Sequence, residues 1–171
     1  EYFENYYQTV TKYVKDSGGV LHNKKHTEYS RVIVALTAIG KNPADVAGYN
    51  LLAALSDYEK TIWQGVNGAI WALIALDSGN YDMPNNPSAK VQATREMYIN
   101  HILKKQTSDG GWALSGDVAD PDVTGMALQA LSNYQNNEKV KTATEKALIC
   151  LSNMQDENGG FSSYKTENSE S

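Results

Sequence analysis

One phrase occurs twice in this chain, and it limits what the chain can fold into. A helix-like run ends in Gln; after three intervening residues comes Gly, then one more residue and an aromatic. The first copy, YINHILKKQTSDGGW, carries Gln106, Gly110 and Trp112, and the second, ALICLSNMQDENGGF, carries Gln155, Gly159 and Phe161. Each member of the second copy lies 49 residues after its counterpart. A repeat of that length is one supersecondary unit stacked on the next. The repeated residues have structural work to do. At the end of an outer helix the Gln amide is placed to bond the orphan carbonyls there, or the amides opening the next helix. Gly supplies the positive φ of the turn, and the aromatic packs on the adjoining unit.

The periodicity elsewhere is helical. Val140, Ala143, Ala147, Leu148, Leu151 and Met154 recur at spacings of three and four, with Lys141, Thr142, Glu145, Lys146 and Asn153 opposite, which predicts a one-sided outer helix. The run 91–106 reads the same way, with Met97, Tyr98, Ile102 and Leu103 inward and Arg95, Glu96, Lys104 and Lys105 outward. Two further outer helices are predicted over 2–15 and 45–58. Between them lie SRVIVALTAIG (30–40), NGAIWALIALDSG (67–79) and DVTGMALQALSNY (122–134), which are apolar nearly all round and have to be covered on most sides. Gly and Pro punctuate the connections, and strand-like alternation is almost absent. The expectation is an all-α fold of alternating inner and outer helices.

Bulk properties exclude some partners. With 171 residues, 41% of them hydrophobic, the chain is long enough for one domain with a core. A net charge of −5, with fifteen scattered Lys and Arg, leaves no footprint for nucleic acid. No stretch reaches the roughly 18 to 20 apolar residues that span a bilayer. The single cysteine, Cys150, rules out an internal disulfide and reads as a small buried thiol in an apolar stripe. The chain opens at Glu1 without a start Met and is expected to be a processed segment.

The Gln-x3-Gly-x-Trp phrase resembles the QW motif of squalene and oxidosqualene cyclases. The alternation of inner and outer helices resembles the α/α-toroid superfamily of terpenoid cyclases, protein prenyltransferase β-subunits, complement thioester fragments and cobalamin carriers. NGAIWALIALDSGNY (67–81), DGGWALSGDVADPDVTGMALQALSNY (109–134) and NGGFSSY (158–164) are most similar to the prenyltransferase/squalene-cyclase-like repeat modules of secreted surface proteins of Gram-positive bacteria. The resemblance implies a single partial toroid over 1–171, cut within the next inner helix, whose start is KTENSES (165–171). It implies a secreted or cell-surface location, and an open flank through which the segment self-associates. The superfold hosts catalysts, carriers and tethering domains alike, so activity has to come from the site.

Asp120-Pro121-Asp122-Val123-Thr124 is similar to the cyclase acid motif Asp-x-Asp-Asp-Thr. Asp120, Asp122 and Thr124 match; Val123 replaces the second of the paired carboxylates that raise one another's pKa. The segment also reads as a helix start, with Asp122 as N-cap and Asp120 near the positive end. Asp117, Asp120 and Asp122 offer hard oxygen ligands, but without EF-hand spacing. His22 and His26 lie in a stretch that reads as a solvated loop, so no metal site is expected, and neither the Asp-Cys-His zinc set of the prenyltransferases nor a thioester motif is present. Tyr29, Trp63, Asn67, Trp71, Trp112 and Tyr164 are aromatic or polar candidates near inner-helix starts, where a ligand would meet them.

The resulting expectation is a module that binds a small ligand or a partner domain and holds no resident cofactor. By resemblance to the cobalamin carriers, which show a similar Asp-x-Thr-x-Met-Ala pattern, a corrinoid is the most concrete ligand. Two alternatives stay open: a terpenoid-cyclase-like enzyme with Asp122 as general acid, and an α/α-barrel enzyme acting on polysaccharide through Asp109, Asp117 and Asp122.

Overall fold

A computed structural model of the chain describes residues 1–161. Among them the structure is all-α, with isolated pairings but no β-strand, and no helix is long and apolar enough to cross a membrane. The chain divides into two compact units, 1–98 and from Ile99 onward.

The first unit contains α1 (Tyr2–Asp16), α2 (Thr27–Ala38), the short α3 (Tyr58–Thr61), α4 (Val66–Asp77) and the first turn of α5 (Arg95–Lys104). One stop signal ends three of these helices. Gly18 (φ 61°), Gly40 (φ 71°) and Asn80 (φ 51°) turn left-handed. The next residue then donates back five positions, from Gly19 to Val14, from Lys41 to Leu36 and from Tyr81 to Leu76, each bond 2.8 Å long. This is the hydrogen bond of a Schellman end, and it satisfies a carbonyl that the helix leaves orphaned. At α4 the end is doubly held. Arg95 pairs with Asp77 at 3.0 Å and donates to the Leu76 carbonyl at 3.3 Å, placing a cation at the negative end of the helix dipole. The sequence reading set Arg95 outward; the ion pair instead keeps it half-buried.

The core of this unit is α2 packed on α4. Ile33, Leu36, Ala69, Ile70, Ala72, Leu73 and Leu76 are sealed from solvent. The two helix ends also meet, where Thr37 Oγ1 lies 2.7 Å from Tyr81 Oη. Gly68 permits a close approach, because a Cβ there would collide with the Thr61 carbonyl. The helix predicted over 45–58 does not form. Ala47 (φ 53°) and Gly48 (φ 83°) turn left-handed, and Val46 pairs with Tyr49. Asn50 then caps a 3₁₀ turn, Leu51–Ser56, by accepting from Leu52 N–H at 3.0 Å. The leucines that suggested an outer helix, Leu51, Leu52 and Leu55, are still buried, in a tighter turn.

The second unit holds the rest of α5, α6 (Pro121–Leu131), a 3₁₀ turn Ser132–Tyr134 and α7 (Glu138–Met154). α7 begins where Asn137 accepts from Lys139 N–H, and it packs against α6. Its buried stripe is Val140, Ala143, Ala147 and Cys150. Leu148, expected inward, is largely exposed, because it lies 100° round the helix from Ala147, off the stripe that the smaller side chains form. Cys150 is buried as expected, and burial pushes its thiol pKa up.

Both copies of the repeated phrase close the same turn. Gln106 Nε2 donates to Gly110 O at 2.7 Å, and Gln155 Nε2 to Gly159 O at 3.2 Å. Thr107 N–H donates to Gly111 O, and Asp156 N–H to Gly160 O. Gly110 (φ 95°) and Gly159 (φ 85°) take the left-handed conformation that the turn requires. The Gln amide thus bonds within the turn rather than to the end of its own helix. In the first copy it also reaches Ala143 O of α7 at 2.8 Å. Trp112 is fully buried, whereas Phe161 is half exposed. The segment 165–171, read as the start of a further inner helix, lies outside the described residues.

Candidate functional site

The site grows out of the first repeat turn. After Trp112 the chain makes a loop, 113–120, and enters α6. Thr124, one turn into that helix, fixes the loop's root: its Oγ1 accepts from Trp112 N–H at 2.9 Å and donates to Trp112 O at 3.2 Å. Asp120 N–H donates to the same carbonyl at 2.9 Å. The indole N–H of Trp112 is spent on Ile102 O at 2.8 Å, so the ring is a buried post for the loop. Gly111 has no room for a side chain. A Cβ would sit 2.5 Å from Ala119 Cβ and 2.6 Å from Thr124 Oγ1.

The acidic residues divide by role. Asp109 accepts from Ala119 N–H through both oxygens, at 3.0 and 3.2 Å. Burial works against its charge, but the donors around it prevail and hold its pKa below the usual carboxylate value. Asp117 accepts from Ser108 N–H at 2.9 Å, and Ser108 likewise lowers its pKa. Asp120, rather than Asp122, is the N-cap of α6: it has extended backbone, and its Oδ1 accepts from Val123 N–H at 2.9 Å. The reason is Pro121. Its fixed φ and missing N–H suit the first helical position, which sets the cap one residue earlier and leaves Asp122 inside the first turn. Its carboxylate is exposed there and has no hydrogen bond or ion pair with the side chain or backbone of another described residue.

These pieces enclose a groove of about 680 Å³ between the loop and the start of α6, open to solvent. Asp117, Asp120 and Asp122 line it together with Leu114, Val118 and Met126. Leu114 and Val118 are 65% and 64% exposed. The sequence reading did not single out these aliphatic residues. One signal for the groove's character was in the sequence: between Lys105 and Lys139 the chain has no Lys, Arg or His but five acidic residues. The groove therefore combines an apolar surface with negative charge that no basic side chain of its own segment neutralises.

Tyr29, Asn67, Trp71 and Trp63 lie in the first unit. Tyr29 is buried, and its hydroxyl accepts from Leu21 N–H at 3.0 Å. Asn67 is half-buried in the first turn of α4. Trp71, one turn later, is half-buried with the Arg31 guanidinium 5.3 Å from a ring centroid, and the exposed Trp63 has Lys24 Nζ at 5.8 Å. Both distances suit cation–π contacts. His26, read as part of a solvated loop, is buried: its Nδ1 lies 2.9 Å from Ala54 O and its ring packs against Tyr29. Burial lowers its pKa and favours the neutral ring. His22 does belong to a loop, where its Nδ1 accepts from Lys24 and Lys25 N–H. Tyr164 lies outside the described residues. Among the described residues no group of three or more His, Cys, Asp and Glu is placed to hold a metal.

No protein-family model, curated protein or solved structure matches the chain.

Proposed function

We propose that this chain is a binding module of a secreted or cell-surface protein, built as an α/α-toroid repeat unit, and that the groove at the opening of α6 receives its ligand or partner domain. The observation that carries this reading is the display of Leu114 and Val118. Two aliphatic side chains stand about two-thirds in water on a loop that Asp109, Asp117, Thr124 and Asp120 tie down. An isolated exposed aliphatic needs no explanation, but two held around one groove mark a recognition surface. The carboxylates fit binding better than acid catalysis. Asp122 is exposed, and Val123 stands where the acid motif that the segment resembles carries its second carboxylate.

Supporting the toroid reading are the alternation of one-sided and buried helices and the repeated Gln–Gly turn. By the same resemblance, cobalamin is the small-molecule ligand to try first. A thermal-shift series with cobalamin, isoprenoid diphosphates, squalene and oligosaccharides tests the assignment. A ligand at about 100 times its Kd adds about 2.7 kcal/mol, enough to raise the midpoint by several degrees. The shift should shrink in a Leu114→Ser, Val118→Ser variant. A ligand whose shift is the same in that variant binds elsewhere and removes the groove from the account. An isoprenoid shift together with turnover that Asp122→Asn abolishes would make the protein a cyclase.

A further inference from the structure

We infer that the occupant of this groove is an extended segment of another protein in which aliphatic side chains alternate with Lys or Arg. The inference rests on the binding reading above and gives the site its partner chemistry. Charge complementarity carries it. Asp117, Asp120 and Asp122 line the groove, and the 33 residues between Lys105 and Lys139 supply no basic side chain to balance them. A partner of opposite charge is steered toward such a surface, and an acidic one is repelled.

The apolar half of the lining sets the rest of the partner's chemistry. Leu114, Val118 and Met126 offer aliphatic contact between the carboxylates, so a ligand that is only cationic would leave them wet. The long stems of Lys and Arg cover apolar surface while their heads reach carboxylates, and neighbouring Leu or Val side chains fill the remainder. Shape favours a chain over a compact ligand. Small-molecule sites bury about 70–90% of their ligand, whereas this groove is open and its two aliphatic walls are exposed before anything binds. Asp122, with no other described partner, is the carboxylate ready for an incoming cation. Asp120 and Asp117 each have one oxygen committed, to Val123 N–H and Ser108 N–H, which fixes their position.

The test is fluorescence anisotropy of the 171-residue chain with two labelled eight-residue peptides, one alternating Leu with Lys and the other Leu with Glu. The Leu–Lys peptide should bind and the Leu–Glu peptide should not. Asp122→Asn should weaken binding by about two- to five-fold, as expected of one exposed ion pair. Leu114→Ser with Val118→Ser should weaken it about ten-fold or more. These side chains are all exposed, so the variants should fold, and unchanged circular dichroism checks that. Equal binding of both peptides, or Leu–Lys binding that ignores both variants, overturns the inference. If cobalamin or another neutral ligand binds in a Leu114- and Val118-dependent way and the Leu–Lys peptide does not, the peptide inference falls and the groove reading stands. If nothing tested depends on Leu114 and Val118, both fall.

Discussion

The Thr124 hydroxyl holds both backbone groups of Trp112, accepting from its N–H at 2.9 Å and donating to its carbonyl at 3.2 Å. Both residues are fully buried, so neither bond has water as a substitute. Thr124→Val keeps the shape and removes the hydroxyl, leaving the Trp112 N–H unpaired. The expected cost is about 1–3 kcal/mol. Urea unfolding measures it, and a loss below about 0.5 kcal/mol would show that the loop's root is held by packing alone.

The cap of α6 separates two neighbouring carboxylates. Asp120→Ala removes the acceptor for Val123 N–H and should cost about 1 kcal/mol. Asp122→Ala touches an exposed residue and should change stability by no more than about 0.5 kcal/mol. Equal losses, read from unfolding midpoints of the two variants, would contradict the assignment of the cap.

Gly111→Ala should destabilise by about 1–3 kcal/mol, because the new methyl meets Ala119 and Thr124 in a packed site. At Gly125 the same change meets nothing within 4 Å and should stabilise the helix by up to about 1 kcal/mol. Thermal midpoints of the two variants should therefore move in opposite directions.

Burial lowers the pKa of His26, and burial together with Lys105 and Lys104 lowers that of His101. Each ring binds its proton more readily in the unfolded chain, near pH 6.5, than in the folded one. The unfolded state therefore takes up more protons as the pH falls, and stability decreases. It should be complete above about pH 6.5 and be lost as the pH falls through the depressed folded-state values. Asp109 and Asp117 titrate below the ordinary carboxylate value and act only in stronger acid. Urea midpoints should be nearly equal at pH 8 and 7 and lower at pH 6 and 5, with a smaller drop in a His26→Gln variant. A flat profile would contradict the burial argument.

The helices were legible because their apolar spacing and their Gly or Asn stops are local signals. α1, α2, α4 and α7 lie close to where the periodicity puts them. Leu51, Leu52 and Leu55 misled because burial spaced at three and four residues does not separate an α-helix from a 3₁₀ turn; Ala47 and Gly48 decide that, through backbone angles a spacing rule does not see. The repeat identified the turn but not the Gln106 bond to Ala143, which depends on where α7 comes to lie. At the site, Asp120 and Asp122 stood out as residues, yet their roles were exchanged by Pro121. Leu114 and Val118 are not legible as a site, because a pattern of two aliphatics in a polar loop looks the same whether they are buried or displayed. The burial of His26 is hidden for a related reason: the carbonyl that its ring meets belongs to Ala54, in a distant segment that the local sequence does not announce.

The groove at the opening of α6 should be where this chain meets its ligand or partner. The most direct measurement is a backbone-amide chemical-shift map of the chain titrated with the Leu–Lys peptide and, separately, with cobalamin. At least one of them should move the amides of 113–123 saturably, while those of α1 and α2 stay fixed. Saturable shifts confined to other segments, or none at millimolar ligand, would contradict it.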